Sequence, residues 1–180
     1  PEKIASSTLM PLLERCTNNQ IAPDLFEWHN LVERQIAEKN TTVSIGLVAK
    51  YLENEDTYIS VLEALKAAAW SEGVDLQVRW INAETANDEE FTAVDGLLVP
   101  GGFGTRGIEG KILAARFALE NNKPYLGICL GLQVAVIAST RRAGLERANS
   151  TEFDPETDQN VVYIMEGQAG KESTGGTLRL

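Results

Sequence analysis

Residues 123–137, Lys-Pro-Tyr-Leu-Gly-Ile-Cys-Leu-Gly-Leu-Gln-Val-Ala-Val-Ile, leave the backbone few choices. Tyr125 to Ile128 reads as a buried strand entered through Lys123-Pro124. Leu130 to Arg142 reads as a helix with Val134, Ile137 and Ala138 on its inner face. Cys129 alone is left to make the turn between them, with Gly127 two residues before it and Gly131 two after. This is the elbow of G-x-S-x-G with sulfur in place of oxygen, where glycines accept a strained backbone and a close approach of neighbouring elements. A strand that turns directly into a helix sets the thiol at a helix N-terminus, where the dipole favours negative charge. The same turn offers the N–H of Leu130 to an oxyanion.

The rest of the chain from Val43 onward has the matching rhythm. Val43 to Ala49 is a short apolar run of the kind a parallel strand makes when both of its faces are covered. Asp56 is placed to cap a helix over Thr57 to Ser71, with Ile59, Leu62, Leu65 and Ala69 on one face and Gly73 as its stop. Val74 to Ile81 alternates as a second strand, and residues 82–92 read as a polar loop or weak helical turn. Gly96 to Val99 is a third strand, closed by Pro100, and Arg106 to Asn121 a helix with Ile108, Ile112, Ala115 and Leu119 inward. This order predicts an α/β fold with a doubly wound, mostly parallel, flavodoxin-like sheet. Beyond Gly144 the periodicity fades, although Val161 to Met165 and Thr177 to Leu180 are strand-like.

Residues 1–42 differ. They hold no run that would build a sheet, and Pro11, Asn18-Asn19 and Pro23 are turn signals. Asp24 is placed to cap a helix over Leu25 to Lys39. The segment reads as a helical connector or the tail of another domain, with residues 43–180 as the α/β domain.

Charge and cysteine usage exclude several functions. With 16 Lys+Arg against 26 Asp+Glu, the net charge of −10 argues against sequence-independent binding of nucleic acid or an anionic membrane. No stretch reaches the roughly 20 apolar residues that span a bilayer, so a cytoplasmic location is expected. Cys16 and Cys129 are too few for a disulfide framework, and no Cys/His cluster exists to hold a metal. Cys16 lacks any reactive setting and reads as structural. The single histidine, His29, falls on the connector helix.

The glycine-rich turn after the third strand, Pro100-Gly101-Gly102-Phe103-Gly104-Thr105-Arg106-Gly107, is the second candidate site. Gly102 to Gly107 spells G-x-G-x-x-G. However, the extra Pro-Gly displaces the helix from the glycines, and no acidic residue ends the next strand, as a dinucleotide site requires. The better reading is a turn that presents backbone N–H groups to a substrate.

Four segments together carry a resemblance: Leu98 to Lys111 (LVPGGFGTRGIEGK), Lys123 to Ile137, Ala148 to Pro155 (ANSTEFDP) and Gly175 to Leu180 (GGTLRL). The chain resembles a class I glutamine amidotransferase domain and, more narrowly, the glutaminase domain of the CTP synthase family. Residues 1–42 are similar to the connector that follows the synthetase domain in that family. The resemblance implies that glutamine is hydrolysed through a cysteine thioester and that the ammonia aminates ATP-activated UTP. It makes Cys129 the nucleophile and gives the oxyanion to the backbone N–H groups of Gly102 and Leu130. It assigns L-glutamine to Gly102, Leu130, Gly131, Leu132, Gln133 and Glu152, with the Glu152 carboxylate facing the α-amino group.

No cofactor is implied within this chain. ATP and Mg²⁺ belong to the synthetase domain, GTP is the family's activator, and the full enzyme is a homotetramer. Lys50-Tyr51 matches the end of a Gly-Lys-Tyr interface motif, but Ala49 replaces its glycine, so no effector role carries over. The family completes its triad with a His-Pro-Glu motif beyond the position of Leu180. The chain is therefore expected to be a fragment, incomplete at its C-terminus and inactive or nearly so alone. The alternative is a non-catalytic glutamine-binding or regulatory module of the same fold.

Overall fold

A computed structural model of the chain describes residues 3, 7–18, 24–50, 52 and 55–163. The chain divides into two compact units, Pro1–Thr42 with Ala64–Asp75, and Val43–Glu63 with Leu76–Leu180. The first unit contains helices α1 (Leu9–Thr17) and α2 (Phe26–Ile36). The turn expected at Pro11 is instead part of a helix over residues 9–17. Pro11 occupies the first turn of α1, where a missing N–H costs nothing. The expected cap at Asp24 falls one residue short: Leu25 is the N-cap of α2 and no side chain caps it, although Asp24 accepts a hydrogen bond from the Phe26 N–H at 2.9 Å. Cys16 and His29 both lie exposed on these helices; Cys16 is not packed in a core, as a structural cysteine would be.

The second unit is built on a four-stranded sheet in the order β2-β1-β3-β4. Its strands are β1 (Thr42–Ala49), β2 (Asp75–Asn82), β3 (Gly96–Val99) and β4 (Tyr125–Gly127), with helices α4 (Asp88–Thr92), α5 (Ile108–Asn121) and α6 (Leu130–Arg142); helix α3 (Ile59–Glu72), between β1 and β2 in the chain, has Ala64–Glu72 in the first unit. β1 pairs with β3 in parallel, Leu47 opposite Leu98, and β3 with β4, Val99 opposite Gly127. The carboxyl ends of these three strands therefore lie side by side. The chain moves from β1 to β2 on one side and returns to β3 on the other, so the crevice beyond β1 and β3 is the switch point where ligands bind in such sheets.

Burial explains the pattern. Every residue of β3 is buried, as are Leu47, Val48 and Ala49 at the end of β1. The core continues through Phe91, Ile108, Ile112, Ala115, Val134, Ile137 and Ala138. Two residues assigned inward are not: Leu119, near the end of α5, and Ile59, at the start of α3, are exposed. Helix α5 begins at Ile108 rather than Arg106, because Gly107 takes the cap with φ +71°.

The polar stretch 82–92 contains a true helix. The Asn87 side chain accepts from the N–H groups of Glu89 and Glu90, both at 3.1 Å, and donates to Glu90 at 2.8 Å, closing a reciprocal cap on α4. Lys123 ties the far end of that helix down by donating to the carbonyls of Phe91, Thr92 and Val94. A small parallel pair follows α6, β5 (Asn149–Ser150) with β6 (Asn160–Val162). The second of these replaces the strand expected over Val161 to Met165; the one expected over Thr177 to Leu180 lies outside the described residues. Among the described residues no helix is long and apolar enough to cross a membrane.

Candidate active site

Cys129 occupies the N-cap of α6 with φ +54° and ψ −110°, a conformation that costs a non-glycine residue about 1–3 kcal/mol. The turn is fastened on both sides. The Ile128 N–H reaches the Val99 carbonyl at 3.0 Å, and the Cys129 carbonyl accepts from Leu132 at 3.0 Å and Gln133 at 3.3 Å. The two flanking glycines are required by space. A Cβ on Gly131 would stand 2.0 Å from the Val99 carbonyl oxygen, and one on Gly127 would stand 2.4 Å from the Gly131 carbonyl carbon. β3, β4 and α6 thus meet backbone to backbone. Tyr125 adds a hydrogen bond from its hydroxyl to the Gly131 carbonyl at 2.7 Å, and burial pushes its phenol well above the usual range.

The Gly101–Gly102 turn faces this elbow. A side chain at Gly101 would come within 3.3 Å of Cys129 Cβ and 3.9 Å of its Sγ. One at Gly102, where φ is +157°, would touch Lys50 Cε at 3.5 Å, Lys111 Nζ at 3.8 Å and Leu130 Cδ2 at 3.9 Å. Gly102, Cys129 and Leu130 are therefore neighbours. Leu130 is the first residue of α6, where an N–H has no intrahelical acceptor, and its side chain is buried. Gly131, Leu132 and Gln133 complete the first turn of that helix, with Leu132 exposed and Gly131 buried. Glu152 follows β5, its N–H bonded to the Ser150 hydroxyl at 3.2 Å, and its charge reaches Lys50.

Two lysines lie under the glycine turn. Lys111 is fully buried, and its Nζ donates to the Pro100 carbonyl at 3.3 Å. Burial, and next the charge of Lys50, bring its ammonium down to about 8, while Cys129 acts in the opposite sense. Lys50, one residue beyond β1, donates to the carbonyls of Phe103 and Gly104. Burial is also the main cause that lowers its pKa, followed by Arg106, with Glu152 and Glu84 opposing. Arg106 pairs with Glu84 at 2.6 Å and donates to the Lys50 carbonyl at 3.2 Å.

Sequence pattern alone points to no role for Lys111, Tyr125 or Lys50, which the structure places beside the elbow and the glycine turn. A signal for Lys111 is nonetheless present, since it shares the inward stripe of α5 with Ile108, Ile112 and Ala115.

A cysteine at a strand-to-helix elbow faces a glycine turn at the switch point of a parallel sheet. The chain belongs to the class-I glutamine amidotransferase family, which it matches over residues 54–179. Within that family it is similar to CTP synthases. It is 51% identical over 158 residues to the CTP synthase of Methanothermobacter thermautotrophicus, covering 87% of this chain and 30% of that protein. It is 48% identical over 165 residues to the CTP synthase of Thermus thermophilus, covering 89% of this chain and again 30% of the relative. The chain thus spans about 30% of the length of these relatives. Among solved structures, the Trypanosoma brucei CTPS glutaminase domain with bound acivicin superimposes with a TM-score of 0.67 at 39% identity, over 75% of this chain and 54% of that one.

Proposed function

We propose that this chain carries the nucleophile of a CTP synthase glutaminase, which hydrolyses L-glutamine and passes the ammonia to an ATP-dependent amination of UTP in the cytoplasm. The observation that supports this most is the placement of Cys129, strained at a helix N-terminus and opposed by the Gly101–Gly102 turn. The Cys129 sulfur attacks the amide carbon of glutamine, forming a C–S bond while the carbonyl electron pair moves onto oxygen. The N–H groups of Gly102 and Leu130 receive that oxyanion, each worth about 3–4 kcal/mol in comparable sites. Collapse breaks the C–N bond; the nitrogen takes a proton and leaves as ammonia. Water then attacks the thioester, releasing glutamate and restoring the thiol.

Gly131, Leu132 and Gln133 line the glutamine, and the Glu152 carboxylate takes its α-ammonium. The family resemblance gives the proton transfers to the histidine of the His-Pro-Glu motif. The family resemblance assigns Mg²⁺ and ATP to the synthetase portion, which is the partner of this domain. GTP is assigned as activator and a homotetramer as the assembly.

The test is to label the full-length protein with a glutamine-like diazoketone and map its cysteines by mass spectrometry. Modification at Cys129, blocked by excess glutamine and absent at Cys16, is expected. An unlabelled Cys129, or labelling that glutamine does not block, overturns the reading. Labelling without ammonia release identifies a glutamine-binding module that does not turn over.

A further inference from the structure

We propose that Lys111 is a positioning residue for the oxyanion: its buried ammonium fixes the Pro100–Gly101 peptide and, together with Lys50 at the other end of the turn, confines the Gly102 N–H to face the oxyanion oxygen. This rests on the glutaminase reading above.

Residues 100–107 include glycines at 101, 102, 104 and 107, a composition that by itself leaves the backbone free to adopt many conformations. An oxyanion hole works only when its donors are fixed before the charge develops. Here two cations do the fixing, one at each end of the turn. Lys111 holds the Pro100 carbonyl at 3.3 Å. Lys50 holds the carbonyls of Phe103 and Gly104. In a planar trans peptide the C=O and N–H point in opposite directions, so pinning a carbonyl also fixes where the next N–H points. Those carbonyls belong to the Pro100–Gly101, Phe103–Gly104 and Gly104–Thr105 peptides, so the two peptides that flank Gly102 are held at their outer ends and the Gly102 N–H is confined between two fixed points. The close approach of Lys111 Nζ and Lys50 Cε beneath Gly102 places both anchors directly under that residue.

Stability alone does not account for Lys111. A wholly buried ammonium whose hydrogen bond goes to a neutral carbonyl loses its hydration for a modest return, and an apolar side chain of similar volume is often at least as stable in such a place. Methionine on the inward stripe of α5 would serve packing equally well. The cation is also near enough to act on Cys129 electrostatically, which puts positive charge beside the atoms where the oxyanion forms.

The experiment compares Lys111→Met with wild type in the full-length protein. Three quantities are measured: kcat and KM for glutamine hydrolysis, inhibition by a glutamine-shaped aldehyde that forms a tetrahedral adduct with the thiol, and inhibition by L-glutamate, which forms none. The expected result is a kcat at least tenfold lower with KM within twofold, aldehyde affinity reduced by a similar factor, and glutamate affinity unchanged. Equal weakening of aldehyde and glutamate, or unchanged aldehyde affinity, overturns the positioning role. If Lys111→Met does not fold, Lys50→Met tests the same clamp from the other end of the turn with the same criteria. A wild-type protein without turnover overturns the glutaminase reading and this proposal together; an active wild type matched by the variant overturns this proposal alone.

Discussion

Between β4 and α6 the chain turns on two residues, Ile128 and Cys129, whereas between β3 and α5 it takes the eight residues Pro100–Gly107. The short turn is held by exclusion: Gly127 and Gly131 let three backbones touch, and Cys129 has nowhere else to go. The long turn is held by attraction, with Lys50 and Lys111 reaching from other elements to its carbonyls. Steric exclusion places an atom firmly and tolerates almost no substitution. Side-chain donors hold a loop less absolutely, and their grip depends on charge. Under the proposed function a nucleophile has to be placed while oxyanion donors have to be aimed, and the two turns would divide the work accordingly.

The most damaging way to break this contrast is Gly131→Ala. Its methyl would stand 2.0 Å from a carbonyl oxygen of β3, and backbone cannot step aside as a flexible side chain can. The expected cost is about 3 kcal/mol or more, read as a lower melting temperature of the protein and faster amide exchange in β3 and α6. An alanine variant that melts with wild type would mean that α6 and β3 can separate freely, and the elbow would not be sterically held.

The same contrast explains what could be read from the sequence. The elbow was legible because its constraint is local: a cysteine between glycines at the end of an apolar run has one common backbone solution. The strands β1, β3 and β4 and the inner face of α6 were legible from their short buried runs and periodicity. The clamps on the long turn were not, because Lys50 and Lys111 act on residues 53 and 11 positions away in the chain. A lysine on an apolar stripe reads as a break in the stripe until the fold supplies its acceptor. Helix α1 was missed because Pro11 carries the same letter whether it ends a helix or sits in its first turn. Leu119 was placed inward by spacing, but it lies near the end of α5, where the core has already closed over Ala115 and Ala118.

Cys129→Gly sharpens the comparison from the other side. Glycine adopts φ +54° with far less strain, so this variant removes the thiol proposed as nucleophile and gains stability, by about 1–3 kcal/mol if the full conformational cost is recovered. Glutamine hydrolysis should fall to background while the melting temperature rises. A variant less stable than wild type would show that the thiol's contacts with the Gly101 turn outweigh the strain, which would make the elbow depend on side-chain attraction after all.

The smallest effect probes the attractive turn through pH. Lys111 titrates near 10.5 when unfolded and at about 8 when folded. Below both values each state carries the proton, and the folded state bears the whole cost of the buried ammonium. As pH rises above the folded value, the folded state sheds its proton first and the unfolded state binds more, so stability rises with pH. The charged groups acting on Lys111 are Lys50, which adds to the downward shift, and Cys129, which opposes it. Relative to Lys111→Met, wild type should therefore gain about 1 kcal/mol between roughly pH 7 and 9. Paired urea melts at several pH values measure the difference with other titrations cancelled. A difference flat across that range would mean that water reaches the ammonium; the long turn would then be held by a solvated side chain, too weakly to aim a backbone donor.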